Sequence, residues 1–230
     1  MTLNRAALLA LLAGLMFAPV AEAKKDKADP AAETMTEVPE APTIEDTGVP
    51  AFDAVFAEVS GIHGSLDEAR TRLAAANNSV VMALKLPADA SLDDALSELK
   101  DKAGGDIAVI MNGTVPTLSA SNALPEDISA AIEAVNAAVQ EVAQAQESLA
   151  ALPDQTAALV EQVKAFRTQL NPTLMVESGL ERSEMPRIAS TTKKNVEATV
   201  ATHARIMAVG EELARFMDTM KDFGAGLASE

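Results

Sequence analysis

The chain has 230 residues, enough for one domain or two small ones with appendages, and its 34 Asp and Glu against 18 Lys and Arg leave a net charge of −16. That charge argues against affinity for phosphate backbones or anionic lipid surfaces, so nucleic acid is not an expected partner. The absence of Cys excludes disulfides, thiolate metal sites, cysteine nucleophiles and a lipid-modified N-terminal cysteine, and without Trp or Tyr the chain lacks the rings that usually stack on sugars or bases.

Residues 1–23 follow the secretory pattern. Arg5 supplies a short positive region, Ala6 to Val20 an apolar run, and Ala21 and Ala23 the small residues of an A-x-A cleavage site. The run is about 15 residues where a membrane-spanning helix needs about 20, so cleavage is expected rather than anchoring. The mature chain then starts at Lys24 and is expected to be periplasmic or secreted in a bacterial host, not a lipoprotein, with no later membrane span. Residues 24–50 hold three Lys, seven acids and four Pro with no helical or strand period, and read as a disordered acidic leader.

From residue 51 to 223 the pattern is that of one helical domain. Phe52, Val55, Val59, Ile62, Leu66, Ala69, Leu73 and Ala76 recur in steps of three and four, with Val80 and Ala83 in the same phase. They predict a helix to about Leu84, with weak formers at Asn77 to Ser79 and an end forced by Leu86-Pro87. A second long helix is expected after Pro125, with Ile128, Ile132, Val135, Val139, Val142 and Leu149 on its apolar face. After Pro153 a third stripe follows through Leu159, Val163, Phe166 and Leu170, and the short break between the two favours an antiparallel hairpin of helices. The last helix is expected to start between Met185 and Thr192 and to carry Val196, Val200, His203, Ile206, Val209, Leu213, Phe216, Met220 and Phe223. Gly224 and Gly226 are expected to stop it, leaving 224–230 as a disordered tail. The fold class expected is mainly α, an antiparallel bundle of about four long helices sharing one core. Ala is 46 of 230 residues, and small side chains beside the stripes let helix axes approach closely, though Ala is also the best helix former.

Residues 87–120 are expected as an insert between the first two long helices. Ser91 and Asp94 give a capping-box start for a short amphipathic helix through Leu92, Ala95, Leu96 and Leu99. The period then switches to two. Ile107, Val109 and Met111 alternate along a strand-like run that meets Asn112-Gly113, a pair that favours a tight hairpin, and Pro116 confines the returning arm to an edge. This segment reads either as a cap on the bundle or as an exposed edge that recruits a partner's strand.

Catalytic inventory is short. His63 and His203 are the only imidazoles and lack the spacing of a metal-binding pair; they read as boundary histidines or, if the first and last helices are antiparallel neighbours, as a pH-sensitive pair. No G-x-S-x-G or calcium-loop pattern occurs, and no metal or cofactor is expected. Lys193-Lys194 reads as solubilising or acid-paired, or as a spot for an anionic group. Met207, Met217 and Met220 suit core filling or an adaptable surface. These readings point first to a non-enzymatic envelope protein mediating interaction or assembly with an envelope protein or itself. The alternatives are a carrier or holdase for an apolar ligand such as lipid, and an unrecognised enzyme.

Overall fold

The computed structural model describes residues 38–103 and 105–228. The expected signal sequence, with Ala21 and Ala23 of its expected cleavage site, and the leader up to residue 37 lie outside the described residues. In chain order the elements are α1 (Pro50–Ala83), α2 (Leu92–Ala103), β1 (Ile107–Asn112), β2 (Val115–Ala120), α3 (Glu126–Leu149), α4 (Leu152–Gln169), α5 (Pro172–Glu177), a 3-10 turn at Arg182–Glu184, and α6 (Met185–Ala228). The chain is mainly helical, with one two-stranded antiparallel hairpin.

Pro50 opens α1, where its missing N–H costs nothing, and the Asp53 carboxylate accepts hydrogen bonds from the Thr47 N–H and hydroxyl and from the Gly48 N–H. Phe52, Phe56, Val59, Ile62, Leu66, Ala69, Ala76 and Val80 form its buried face, and Asn77 to Ser79 continue the helix. The helix ends before Leu86-Pro87 in a Schellman motif: the Leu86 N–H donates to the Val81 carbonyl and the Lys85 N–H to that of Met82, both at 3.0 Å. Lys85 therefore sits at φ 57°, a conformation that favours glycine. Lys85→Gly should raise stability by about 0.5–1 kcal/mol, seen as a higher urea midpoint at unchanged slope, because the relief exceeds the entropy lost by a glycine.

The expected helical hairpin after α3 does not form. Ala150 (φ −59°, ψ −29°) and Ala151 (φ −89°, ψ −14°) both keep helical backbone, and α3 and α4 do not pack side by side. Instead both lie against α1 and α6. Pro153 cannot donate to the Leu149 carbonyl, so the hydrogen-bond ladder breaks without the chain reversing. At the far end of α4, Phe166 stacks on Phe52 at the start of α1 with centroids 4.0 Å apart, and Phe56 meets the same ring edge-on. The first and last long helices are also not antiparallel. His63 bonds Thr202, Asp67 bonds Arg205 and Arg70 bonds Glu212, so position advances together along α1 and α6 and the two run parallel.

Ile128, Val135, Val139 and Val142 of α3 join Leu66 and Val80 of α1, Leu96 and Leu99 of α2, and Val209, Leu213 and Met220 of α6 in the larger apolar cluster. Val49, Phe52, Phe56, Val163, Phe166, Met175 and Ile188 form a second, smaller one. Ser91 and Asp94 cap α2 reciprocally, each side chain accepting from the other's backbone N–H at 3.0 to 3.1 Å.

α6 runs through both glycines expected to stop it. A side chain at Gly224 would place its Cβ 2.7 Å from the Cβ of Val109, so this glycine lets β1 lie against the helix. The residues read as a tail are helical as far as Ala228. The leader needs a second correction. Residues 38–49 lie along the helices, with Val38 and Val49 buried, Ile44 packed against both clusters, and the Glu45 backbone held by Asn195, whose Oδ1 accepts from the Glu45 N–H and whose Nδ2 donates to the Glu45 carbonyl. A segment without periodicity is thus tied down by backbone hydrogen bonds, which leave no apolar pattern in a sequence.

Candidate functional site

Two places carry more than packing: the free edge of the hairpin and a buried polar centre between α1 and α6. In the hairpin, Asn112 pairs with Val115 and Ile107 with Ala120. The two-residue loop is therefore Gly113-Thr114, one position beyond the expected Asn112-Gly113; Gly113 has φ +67° while Asn112 and Thr114 have ordinary negative φ, the pattern of a type II′ turn. Ile107, Pro116 and Leu118 face the helices and are buried, with Val109 half-buried beside them.

The two edges differ. With Asn112 and Val115 flanking the loop as a bonded pair, Ile110–Thr117 and Ala108–Ser119 are bonded pairs too, and the backbone groups of Val109, Met111, Pro116 and Leu118 point away from the hairpin. On the β2 side these groups are managed. The Leu118 N–H donates to Asn136 Oδ1 at 2.7 Å, Asn136 Nδ2 donates to the Leu118 carbonyl at 3.0 Å, and Pro116 has no N–H to offer. On the β1 side no described residue pairs with Val109 or Met111. That strand contains no charge and no proline, and Ile110 and Met111 are about half exposed at 55% and 49%.

The polar centre is built on His63, which the structure does not bring to His203. His63 is buried in α1, whereas His203 is exposed on α6. The Thr202 hydroxyl donates to the Ala198 carbonyl and so accepts from His63 Nε2–H at 3.1 Å. On the other side of the ring, Arg205 Nη1 donates to His63 Nδ1 at 3.0 Å. Both bonds demand the same neutral tautomer. Burial, then the positive charge of Arg205, hold His63 below its ordinary pKa of 6.5, while Asp67 pulls the other way. Arg205 is itself buried. It pairs with Asp67 through Nη2 and donates from Nε to the Pro39 carbonyl at 3.1 Å.

Sequence reasoning missed Arg205 and its neighbours because it traced the α6 stripe through Val196, Val200 and His203. Val200 is exposed, and the inward face of that half is Ile188, Thr191, Thr192, Asn195, Ala198, Thr199 and Thr202. The signal was present as threonines and an asparagine in steps of three and four, a polar stripe in place of an apolar one. Lys193 lies 3.8 Å from Glu197 and Lys194 3.6 Å from Glu45, both on the surface. Met217 and Met220 are core residues and Met207 is half-buried. A groove of about 440 Å³ between α1 and α4 is lined by Glu58, Gly61, Ser65, Gln155, Leu159 and Gln162 among others. Among the described residues, no three His, Asp or Glu converge as metal ligands would, and no helix is long and apolar enough to cross a membrane. The chain matches no family model, no curated protein and no solved structure.

Proposed function

We propose that this chain is a non-enzymatic protein of the bacterial envelope, periplasmic or secreted after loss of residues 1–23, in which a bundle of long helices presents the β1 edge for interaction or assembly. The observation that carries this reading is the asymmetry of the hairpin. Asn136 binds both outward backbone groups of Leu118 and Pro116 offers no N–H, while the outward groups of Val109 and Met111 on β1 find no partner among the described residues and lie beside exposed Ile110 and Met111. Natural proteins usually blunt such an edge with charge, proline or a bulge, so an edge left open is the feature expected of a strand-pairing surface.

The test is site-specific photocrosslinking in the host from position 110, with exposed Met82 on α1 as the control position. A discrete adduct from position 110 alone, lost when Met111→Lys places a charge on the edge, is the expected outcome. A monomer in sedimentation that yields no adduct from either position would refute it.

The carrier reading has the α1–α4 groove in its favour, but Glu58, Ser65, Gln155 and Gln162 give that groove a polar rim, which suits water better than an acyl chain. Lipid retained in native mass spectrometry would restore it.

A further inference from the structure

We propose that residues 38–49 form a strap that acid releases from α6, with Arg205 as its latch and His63 as the proton acceptor that opens it. On α6 the strap is held at four points: Arg205 Nε binds the Pro39 carbonyl, Asn195 binds both backbone groups of Glu45, Lys194 lies 3.6 Å from the Glu45 carboxylate, and the Arg187 guanidinium reaches the Thr47 carbonyl at 3.4 Å; Asp53 of α1 also binds Thr47 and Gly48. The first of these points depends on where the Arg205 guanidinium lies, and that is set by His63 Nδ1 on Nη1 and Asp67 on Nη2, with the His63 carbonyl a longer contact to Nη1 at 3.5 Å.

A proton has one place to go on His63, because Nε2 already carries its hydrogen toward Thr202. Protonating Nδ1 turns the acceptor of Arg205 into a second donor. Two N–H groups then face each other across 3.0 Å and two positive charges share a buried site. The charged groups facing His63 are Arg205 from α6 and Asp67 from its own helix; on the strap, Glu40 follows Pro39 and is exposed. Asp67 alone offsets the new charge, and its side chain is 59% exposed. Relief comes from swinging the guanidinium outward, which breaks its bond to Pro39.

The sign follows from linkage. Burial is the largest cause of the lowered His63 pKa and the positive charge of Arg205 the next; the open form, with the guanidinium swung away, loses the Arg205 contribution, so it binds a proton better than the closed form and is favoured by acid. The closed strap is favoured at neutral pH and is lost as pH falls through the lowered pKa of His63. Release uncovers the surface under Val38 and Ile44, which the strap keeps covered at neutral pH.

The chain has no Cys, so spin labels on Thr43→Cys and Glu197→Cys report the strap against α6 without background. The full secreted chain should give one short, narrow distance at pH 7.5 and a long, broad population at pH 5. His63→Asn keeps an acceptor toward Arg205 and removes the titration, so it should stay closed at both. A strap closed at pH 5 in the unsubstituted chain, or His63→Asn opening as the unsubstituted chain does, overturns the proposal; the second result would assign the response to Asp67. If His63→Asn fails to fold, hydrogen exchange in the unsubstituted chain decides. Protection of the Glu45 amide, corrected for intrinsic rate, should fall at least about tenfold between these pH values while α3 amides keep theirs. Joint loss of both would mean global acid unfolding and also overturns it.

Discussion

Val135→Asp should abolish the cooperative fold at neutral pH. Val135 lies at the centre of the α3 face, is fully buried, and belongs to the apolar cluster that joins α1, α2, α3, α6 and the hairpin. A carboxylate placed there has no cation within its cluster and no water to solvate it. Such a substitution costs several kcal/mol, comparable to the whole stability of a domain at about 5–15 kcal/mol. Circular dichroism should show the loss of helix directly. The new carboxyl would have a raised pKa in any folded form, so its penalty should ease as pH falls and grow as pH rises through that value. Gly113→Ala sets the contrast: it strains one positive-φ turn residue and should cost only about 1 kcal/mol, with helicity intact. Asn112→Ala should cost less still, since Asn112 has ordinary φ and the turn begins one residue later. A hairpin variant that unfolds the protein while Val135→Asp leaves it helical would show that the core has been misplaced.

The parts of the fold legible in the sequence are those that local chemistry dictates. The α1 stripe, the Ser91–Asp94 cap, the strand from Ile107 and the helix after Pro125 each follow from period or capping, and each is where the pattern put it. Direction was not legible. Whether a two-residue link reverses the chain depends on its backbone angles, and Ala150-Ala151 adopts helical ones that leave no trace in residue type. Gly224 was misleading for a different reason: glycine permits both a helix end and a close approach, and only the position of Val109 decides between them. The polar centre stayed hidden because burial was read from apolar residues alone. Thr202, Asn195 and Arg205 are buried through partners 139 to 166 positions away, among them His63 and Pro39, and such pairings become visible only once α1 and α6 are known to run parallel.

That centre gives the second large effect, and the two sides of its ion pair should not be equal. Arg205 is nearly inaccessible, with 4% of its side chain exposed, whereas 59% of the Asp67 side chain is open to water. Asp67→Ala leaves a buried guanidinium without its counter-charge, and water cannot reach it easily. The expected loss is about 2–3 kcal/mol, at or below the low end for breaking a buried pair, because the carboxylate side was always partly solvated. Arg205→Met removes the buried charge itself and fills the space with a flexible apolar chain. It leaves Asp67 free to hydrate and His63 neutral, so its cost should be smaller, about 1 kcal/mol, mostly the lost bond to the Pro39 carbonyl. The double variant should then be more stable than Asp67→Ala alone, since deleting the stranded cation removes the penalty that deleting its partner created. Urea denaturation of the three variants at pH 7.5 measures the ranking. If Arg205→Met were the most damaging of the three, the guanidinium would be a net structural anchor whose hydrogen bonds to His63 and Pro39 outweigh the cost of burying it.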